Sequence, residues 1–255
     1  MPLATRIIPT LLMRGHTLVK GRQFNSWRVV GHVMQAARIH AARQVDELIL
    51  LDIGATPEGR GPDLELVGKL AGECFTPLTV GGGIKSVEDV RRLLLAGADK
   101  VAIGTAAFDD RYLLNDIAKR FGSQCLVLAL DYRHGRIVTH CGTRAHDTRP
   151  GGGVVTQAIA AAQLGVGEIL LTSVEREGTM AGYDLVMIKA VSEAVDIPVV
   201  AHGGAGTYQH MLDAVQHGAS AVAAGAMFQF TDQTPQGAAE YLAAHGVTTR
   251  TKEEA

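Results

Sequence analysis

Glycine-bearing turns, repeated at matching places in the two halves of the chain, are the residues here best suited to holding a charged ligand. Gly81-Gly82-Gly83 follows the apolar run PLTV, and Gly203-Gly204 closes the segment after PVVA. Gly104-Thr105 follows KVAI, and Gly225-Ala226 follows AVAA. A residue without a Cβ lets backbone approach a ligand closely, and the start of the next helix offers free N–H groups to an anion. Gly83, Gly104, Thr105, Gly204, Gly225 and Ala226, together with Gly178 of EREGT, are therefore the candidate phosphate-binding residues. Two such sites facing each other would hold a long ligand with a phosphate at each end. The same glycines would also serve tight turns with no ligand present.

Other reactive residue types offer less. His134, His140 and His146 fall in one stretch, but their spacings fit no zinc site, so solvated loop histidines and no metal are expected. Cys74, Cys125 and Cys141 have no adjacent basic motif to lower a thiol pKa and read as unreactive. Trp27, the only tryptophan, lies in the first loop, where it could cover a ligand or pack on a rim. No cofactor is implied.

Something regular must position these turns. Short apolar runs (RIIPTLL, ELILLDI, PLTV, KVAI, CLVLALD, EILLTS, PVVA, AVAAG) alternate with amphipathic stretches such as SVEDVRRLLLAGAD. Strands without polar alternation need both faces covered, which argues for a parallel sheet. Eight strand–helix units in 255 residues predict a (β/α)8 TIM barrel. The halves also resemble each other. LLDIGATPEGRGPDLELVGKLAGECFTPLTVGGGI from Leu50 parallels LLTSVEREGTMAGYDLVMIKAVSEAVDIPVVAHGGAG from Leu170, an offset of about 120 residues. The barrel is thus expected to be two duplicated half-barrels in a single domain over 1–255, with a flexible tail after about Gly246.

Composition narrows the partners. At 47% hydrophobic the chain can bury one large core, and a net charge of −2 points to neither nucleic acid nor an anionic membrane. Three widely spaced cysteines suit a reduced, cytoplasmic protein, and no run has the length of a signal segment or membrane span.

The first strand, RIIPTLLMRG, raises a question at Leu12, where a barrel enzyme could place a carboxylate. RIIP, VKG, DELILLDI, EGR, PLTVGGGI, SVEDVRRLLLAGADKV, TAA, RFGSQC, GEILLTS, EGT, GYDL and GGAG, in that order from about Arg6 to Phe230, resemble the cyclase subunit of imidazole glycerol phosphate synthase, the HisF family. RFGSQC and GEILLTS favour that family over the sister isomerase of histidine synthesis.

The resemblance implies two catalytic aspartates, ending the first and fifth strands and acting as general acid and base. Asp131 of LALD matches the second, while the first is Leu12, which can carry no proton. Further departures are Gly104 in place of asparagine, Glu177 in place of aspartate, and His202 in place of a small hydroxyl residue. The resemblance also places Thr172 and Glu177 near the ligand and retains Lys20 in the first loop, while Asp52, ending the second strand, faces the mouth by position and could contact ligand or equally anchor its own loop.

The family takes ammonia from a glutaminase docked at the strands' N-terminal face, through a ring of charged residues. The matching positions are Arg6, Glu47, Lys100 and Glu168. A salt-bridge cluster that merely closes the barrel would look the same in sequence.

IIP-x-LLM, ECF-x-PL and AVAAG are most similar to the AglZ/WbuZ-type acetamidino-modification branch. That implies a HisH-like glutaminase, a sugar amidotransferase, a phosphorylated or nucleotide-linked ligand, and acetamidino-sugar formation in surface polysaccharide. The alternatives are an authentic histidine-pathway cyclase, or a non-catalytic ammonia tunnel and docking module.

Overall fold

The computed structural model describes residues 4–145 and 153–250. The first half runs β1 (Arg6–Arg14), β2 (Thr17–Arg22), β3 (Asn25–His32), α1 (Val33–Ala42), β4 (Leu48–Asp52), α2 (Leu64–Glu73), β5 (Leu78–Gly81), α3 (Val87–Leu95), β6 (Lys100–Ile103), α4 (Thr105–Asp109) and α5 (Arg111–Phe121). The second runs β7 (Leu126–Arg133), β8 (Arg136–Thr139), β9 (Arg144–Ala145), α6 (Val154–Gln163), β10 (Glu168–Ser173), α7 (Leu185–Ser192), β11 (Val199–His202), α8 (Tyr208–Gln216), β12 (Ala221–Ala224), α9 (Ala226–Phe230) and α10 (Pro235–Ala244).

Eight of these strands are parallel neighbours in the order β1, β4, β5, β6, β7, β10, β11, β12, and β12 pairs back onto β1 to close a (β/α)8 barrel. Each half places an antiparallel excursion after its first stave, β2–β3 or β8–β9, and a five-residue helix after its last, α4 or α9. Capping repeats as well. Asp63 and Asp184 each accept a backbone N–H at the start of α2 and α7, while Ser86 and Thr207 do so at α3 and α8. Such caps satisfy N–H groups that a helix leaves unpaired.

Strand periodicity sorts the apolar residues into two cores. Ile7, Leu48, Leu50, Val101, Leu128 and Ile169 point outward and pack under the helices. Ile8, Ile49, Ala102, Val127, Leu170, Val200, Ala221 and Ala223 fill the barrel interior. The apolar runs lack alternation because both strand faces are covered.

One expectation changes. The chain beyond Gly246 returns to the barrel as far as Arg250: the Thr5 N–H donates to the Thr248 carbonyl at 2.8 Å, Thr5 bridges to Thr249, and Thr249 is buried. Residues 251–255 and His146 lie outside the described residues.

Candidate functional site

The C-terminal tips of the staves surround a mouth cavity of about 110 Å³. Leu12, Asp52, Gly83, Gly104, Thr105, Asp131, Thr172 and His202 all line it. Leu12 thus faces the same space as Asp131 and presents only methyl groups to it. Asp131 is open to the cavity but otherwise enclosed, and burial pushes its carboxyl up to about 6. A hydrogen bond with Thr172 pulls that value back, and the Glu177 charge adds to it. A carboxyl in this range exchanges its proton near neutral pH, which general acid–base chemistry requires.

Beside the mouth lies a smaller cavity lined by Lys20, Glu177, Gly178, His202, Gly204, Gly225 and Ala226. The candidate anion-binding residues therefore divide by half-barrel, those of the first half at the mouth and those of the second around Lys20. Lys20 comes from the β2–β3 hairpin, is fully buried, and donates to the Thr10 carbonyl at 3.2 Å. Burial lowers its pKa to about 8, against the raising effect of Glu177. Burial likewise raises the Glu177 carboxyl, with Lys20 and the N–H groups of Phe24 and Gln23 opposing. A Cβ at Gly225 would collide with the Lys20 ammonium, and one at Gly178 (φ +69°) would collide with the Gly21 carbonyl. Only glycine allows both close approaches.

Asp52 is held by its own loop. Its Oδ1 accepts the Gly54 and Ala55 N–H groups at 3.0 and 3.1 Å, and Arg60 pairs with Oδ2 at 3.1 Å. The Thr105 hydroxyl accepts the His140 N–H at 2.9 Å, tying α4 to the segment after β8. Trp27 lies 6.3 Å from Phe24 between ring centroids and under the Arg14 guanidinium. It is Phe24, not Trp27, that reaches the mouth cavity. A lone aromatic in a polar stretch gave no sequence signal for that. Among the described residues no cluster could hold a metal ion. His134 pairs with Glu175, and burial raises the Cys141 thiol to about 12.

At the opposite end, Arg6, Glu47, Lys100 and Glu168 form a closed ring of alternating charge. Arg6 pairs with Glu47 at 2.7 Å and with Glu168, and Lys100 pairs with Glu47 at 3.0 Å and with Glu168 at 2.8 Å. The Thr79 hydroxyl donates to the other Glu47 oxygen. Burial acts against the charges of Arg6 and Glu168, but their ring partners outweigh it, raising the Arg6 pKa and lowering that of Glu168. On the same side a surface cavity of about 640 Å³ is lined by Ile7, Val45, Asp46, Phe75 and Arg250 among others, and Phe75 is 94% exposed.

A duplicated (β/α)8 barrel with Asp52 and Asp131 at its mouth and an ion ring at its base defines a class, the half-barrel-repeat barrels. The family model described as "Histidine biosynthesis protein" matches residues 6–234. The imidazole glycerol phosphate synthase subunit HisF of Mycobacteroides abscessus is 45% identical over 257 residues, covering 98% of this chain and 100% of that protein. The chain belongs to the histidine biosynthesis protein family and is HisF-like within it. These matches lend no support to the acetamidino branch. Among the described residues no helix is long and apolar enough to cross a membrane.

Proposed function

We propose that this chain is the cyclase-type subunit of an imidazole glycerol phosphate synthase, a cytoplasmic barrel that accepts ammonia from a HisH-like glutaminase and works with Asp131 as its mouth carboxylate. One juxtaposition carries the reading: a complete ion ring at one end of a closed barrel, and a carboxyl poised near neutrality at the other. The ring of Arg6, Glu47, Lys100 and Glu168 is the ammonia gate. Gly83, Gly104 and Thr105 seat one phosphate of the ligand, and Gly178, Gly204, Gly225 and Ala226 with Lys20 seat the other. Thr172 and Glu177 set the charge state of the mouth, and Asp52 holds the rim loop.

The full-length identity to a HisF subunit favours this reading over the sugar-modification one. Leu12 is the observation on the other side: loss of a general acid or base typically costs on the order of 10² to 10⁴ in rate, as expected if a different ammonia acceptor, such as an acetamido sugar, is used. Ammonium-dependent cyclisation of the histidine-pathway intermediate decides between them. Slow turnover by the wild type, raised by Leu12→Asp and by glutamine plus the cognate glutaminase, is the expected result. No turnover by either form, with stimulated glutamine hydrolysis retained, would transfer the chain to the sugar reading. Stimulated hydrolysis with neither turnover nor binding of phosphorylated ligands at the glycine turns would leave the non-catalytic tunnel and docking module.

A further inference from the structure

His202 is the only described residue that lines both the mouth cavity and the smaller cavity around Lys20. It ends β11, where the sheet register sets it abreast of Thr172 on β10, itself abreast of Asp131 on β7. Three polar side chains thus stand in a row across three neighbouring strands. Nδ1 of His202 lies 3.2 Å from Oγ1 of Thr172, and Thr172 stands abreast of Asp131, whose pKa its side chain lowers. A hydroxyl carries one proton. If Thr172 gives it to the Asp131 carboxylate, His202 supplies the N–H at Nδ1, and Nε2 remains as the basic atom of the ring. Nε2 has no protein partner among the described residues and is not among the sealed, unpartnered atoms of the interior.

Elimination points the same way. The titratable groups lining the mouth are Asp52, Asp131, Cys141 and His202. Asp52 is occupied by two backbone N–H groups and Arg60, and the Cys141 thiol is pushed up to about 12 by burial. His202 is what remains beside Asp131. The charged groups facing it are Lys20 from β2, Glu177 from the loop after β10, and Asp131 from β7. Burial, then the Lys20 charge, hold its pKa down to about 3, so the protein alone favours the neutral ring.

We propose that His202 is a second proton-carrying residue of this mouth, charged when an anion seats beside Lys20 and coupled through Thr172 to Asp131. This deepens the proposed function and rests on its phosphate seat. The proton inventory closes. Nε2 takes up a proton, the Nδ1 proton passes to the Thr172 oxygen, and the Thr172 proton passes to Asp131. His202 is then neutral with its proton on Nε2, Thr172 is unchanged, and Asp131 is protonated. An opposite charge at about 4–6 Å typically shifts a pKa by 1–3 units, and a phosphate also offsets the Lys20 cation, so a rise of about two units or more is expected.

The test uses the full chain labelled with ¹⁵N-histidine and with labelled glycine and aspartate, inorganic phosphate as the probe, and His202→Asn to assign the ring signals. Without phosphate, His202 should stay neutral down to about pH 5; with saturating phosphate, an imidazolium with a midpoint above that value should appear. Amide shifts at Gly204 and Gly225 report seating of the anion independently. Shifted glycines with a ring that stays neutral would overturn the inference and leave the seat standing. No glycine shift at any phosphate concentration would overturn both. In the wild type the Asp131 midpoint should move with phosphate, and in Thr172→Val it should move less, by the through-space field of the anion alone. An equal response in that variant would remove Thr172 from the path.

Discussion

Replacing Lys100 by methionine tests whether the basal ring is one electrostatic unit. Its ammonium lies 3.0 Å from Glu47 and 2.8 Å from Glu168, and its side chain is only 22% exposed. At an effective dielectric of about 20, each contact is worth roughly 5 kcal/mol of Coulomb energy before desolvation. Removing one partner of a buried pair costs about 3–5 kcal/mol net. Arg6 still contacts both carboxylates, which favours the lower end, about 3 kcal/mol. For a chain of this size that lowers Tm by roughly 6–12 °C, read by circular dichroism. The sign of the pH dependence follows from Glu168. Burial raises its pKa, but Arg6 and Lys100 hold it below the usual 4.5. A carboxylate with a depressed folded pKa adds stability above its unfolded value, lost as pH falls through the folded one. The gap between wild type and Lys100→Met should therefore be widest near neutral pH and close below about pH 4.5. Combining it with Glu168→Gln should recover part of the loss, because the second change removes the stranded charge. Equal Tm values near neutrality, or a gap that ignores pH, would refute the reasoning.

Asp131→Asn should lower ammonia-dependent turnover by about 10²- to 10⁴-fold. Its folded pKa of about 6 stands above the usual 3.8, so the ionised group weakens the fold. Urea titrations should find the variant more stable than wild type by up to roughly 3 kcal/mol near neutrality, the gap building as pH rises through that interval. Gly225→Ala places a methyl against the Lys20 ammonium and should cost about 1–3 kcal/mol by overpacking, with weaker phosphate binding by calorimetry. Phe75→Glu should weaken association with the cognate glutaminase at least about tenfold on a sensor surface, yet change stability by less than about 0.5 kcal/mol, because Phe75 is exposed beside the basal cavity.

The barrel is legible in the sequence because its staves are buried on both faces, so EILLTS and CLVLALD carry no competing helical period. The β2–β3 hairpin is not. Asn25–His32 holds exposed and half-buried residues and pairs through two register shifts, so it reads as loop. Phe24 is hidden for the same reason, since only the fold of that hairpin carries it to the mouth. Thr79 sits inside an apolar run, and nothing local shows that its hydroxyl meets Glu47. The Asp131–Thr172–His202 row depends on register among strands far apart in the chain. Each residue is visible alone, and their alignment only in three dimensions. Conversely, pairing of Thr248 and Thr249 with Thr5 overrides a polar composition that reads as tail.

The two ends of the barrel differ in the direction in which the protein pushes its ionisable groups. In the ring, Arg6 is raised and Glu168 lowered, so the fold favours their charged forms. At the mouth, Asp131 and Glu177 are raised while Lys20 and His202 are lowered, so the fold disfavours charge at each of them. The first pattern describes charges that have already found their partners. In the second, burial is the largest cause for all four groups; the neighbouring charge opposes it at Lys20 and Glu177 and adds to it at Asp131 and His202. Leucine at position 12 leaves this balance without a further negative charge beside Asp131. An anion at Lys20 would raise both basic groups, while ammonia arriving as a neutral molecule would disturb neither end. A self-satisfied ring and an unsatisfied mouth are thus complementary, one holding the barrel closed without a ligand and the other set to respond when one arrives.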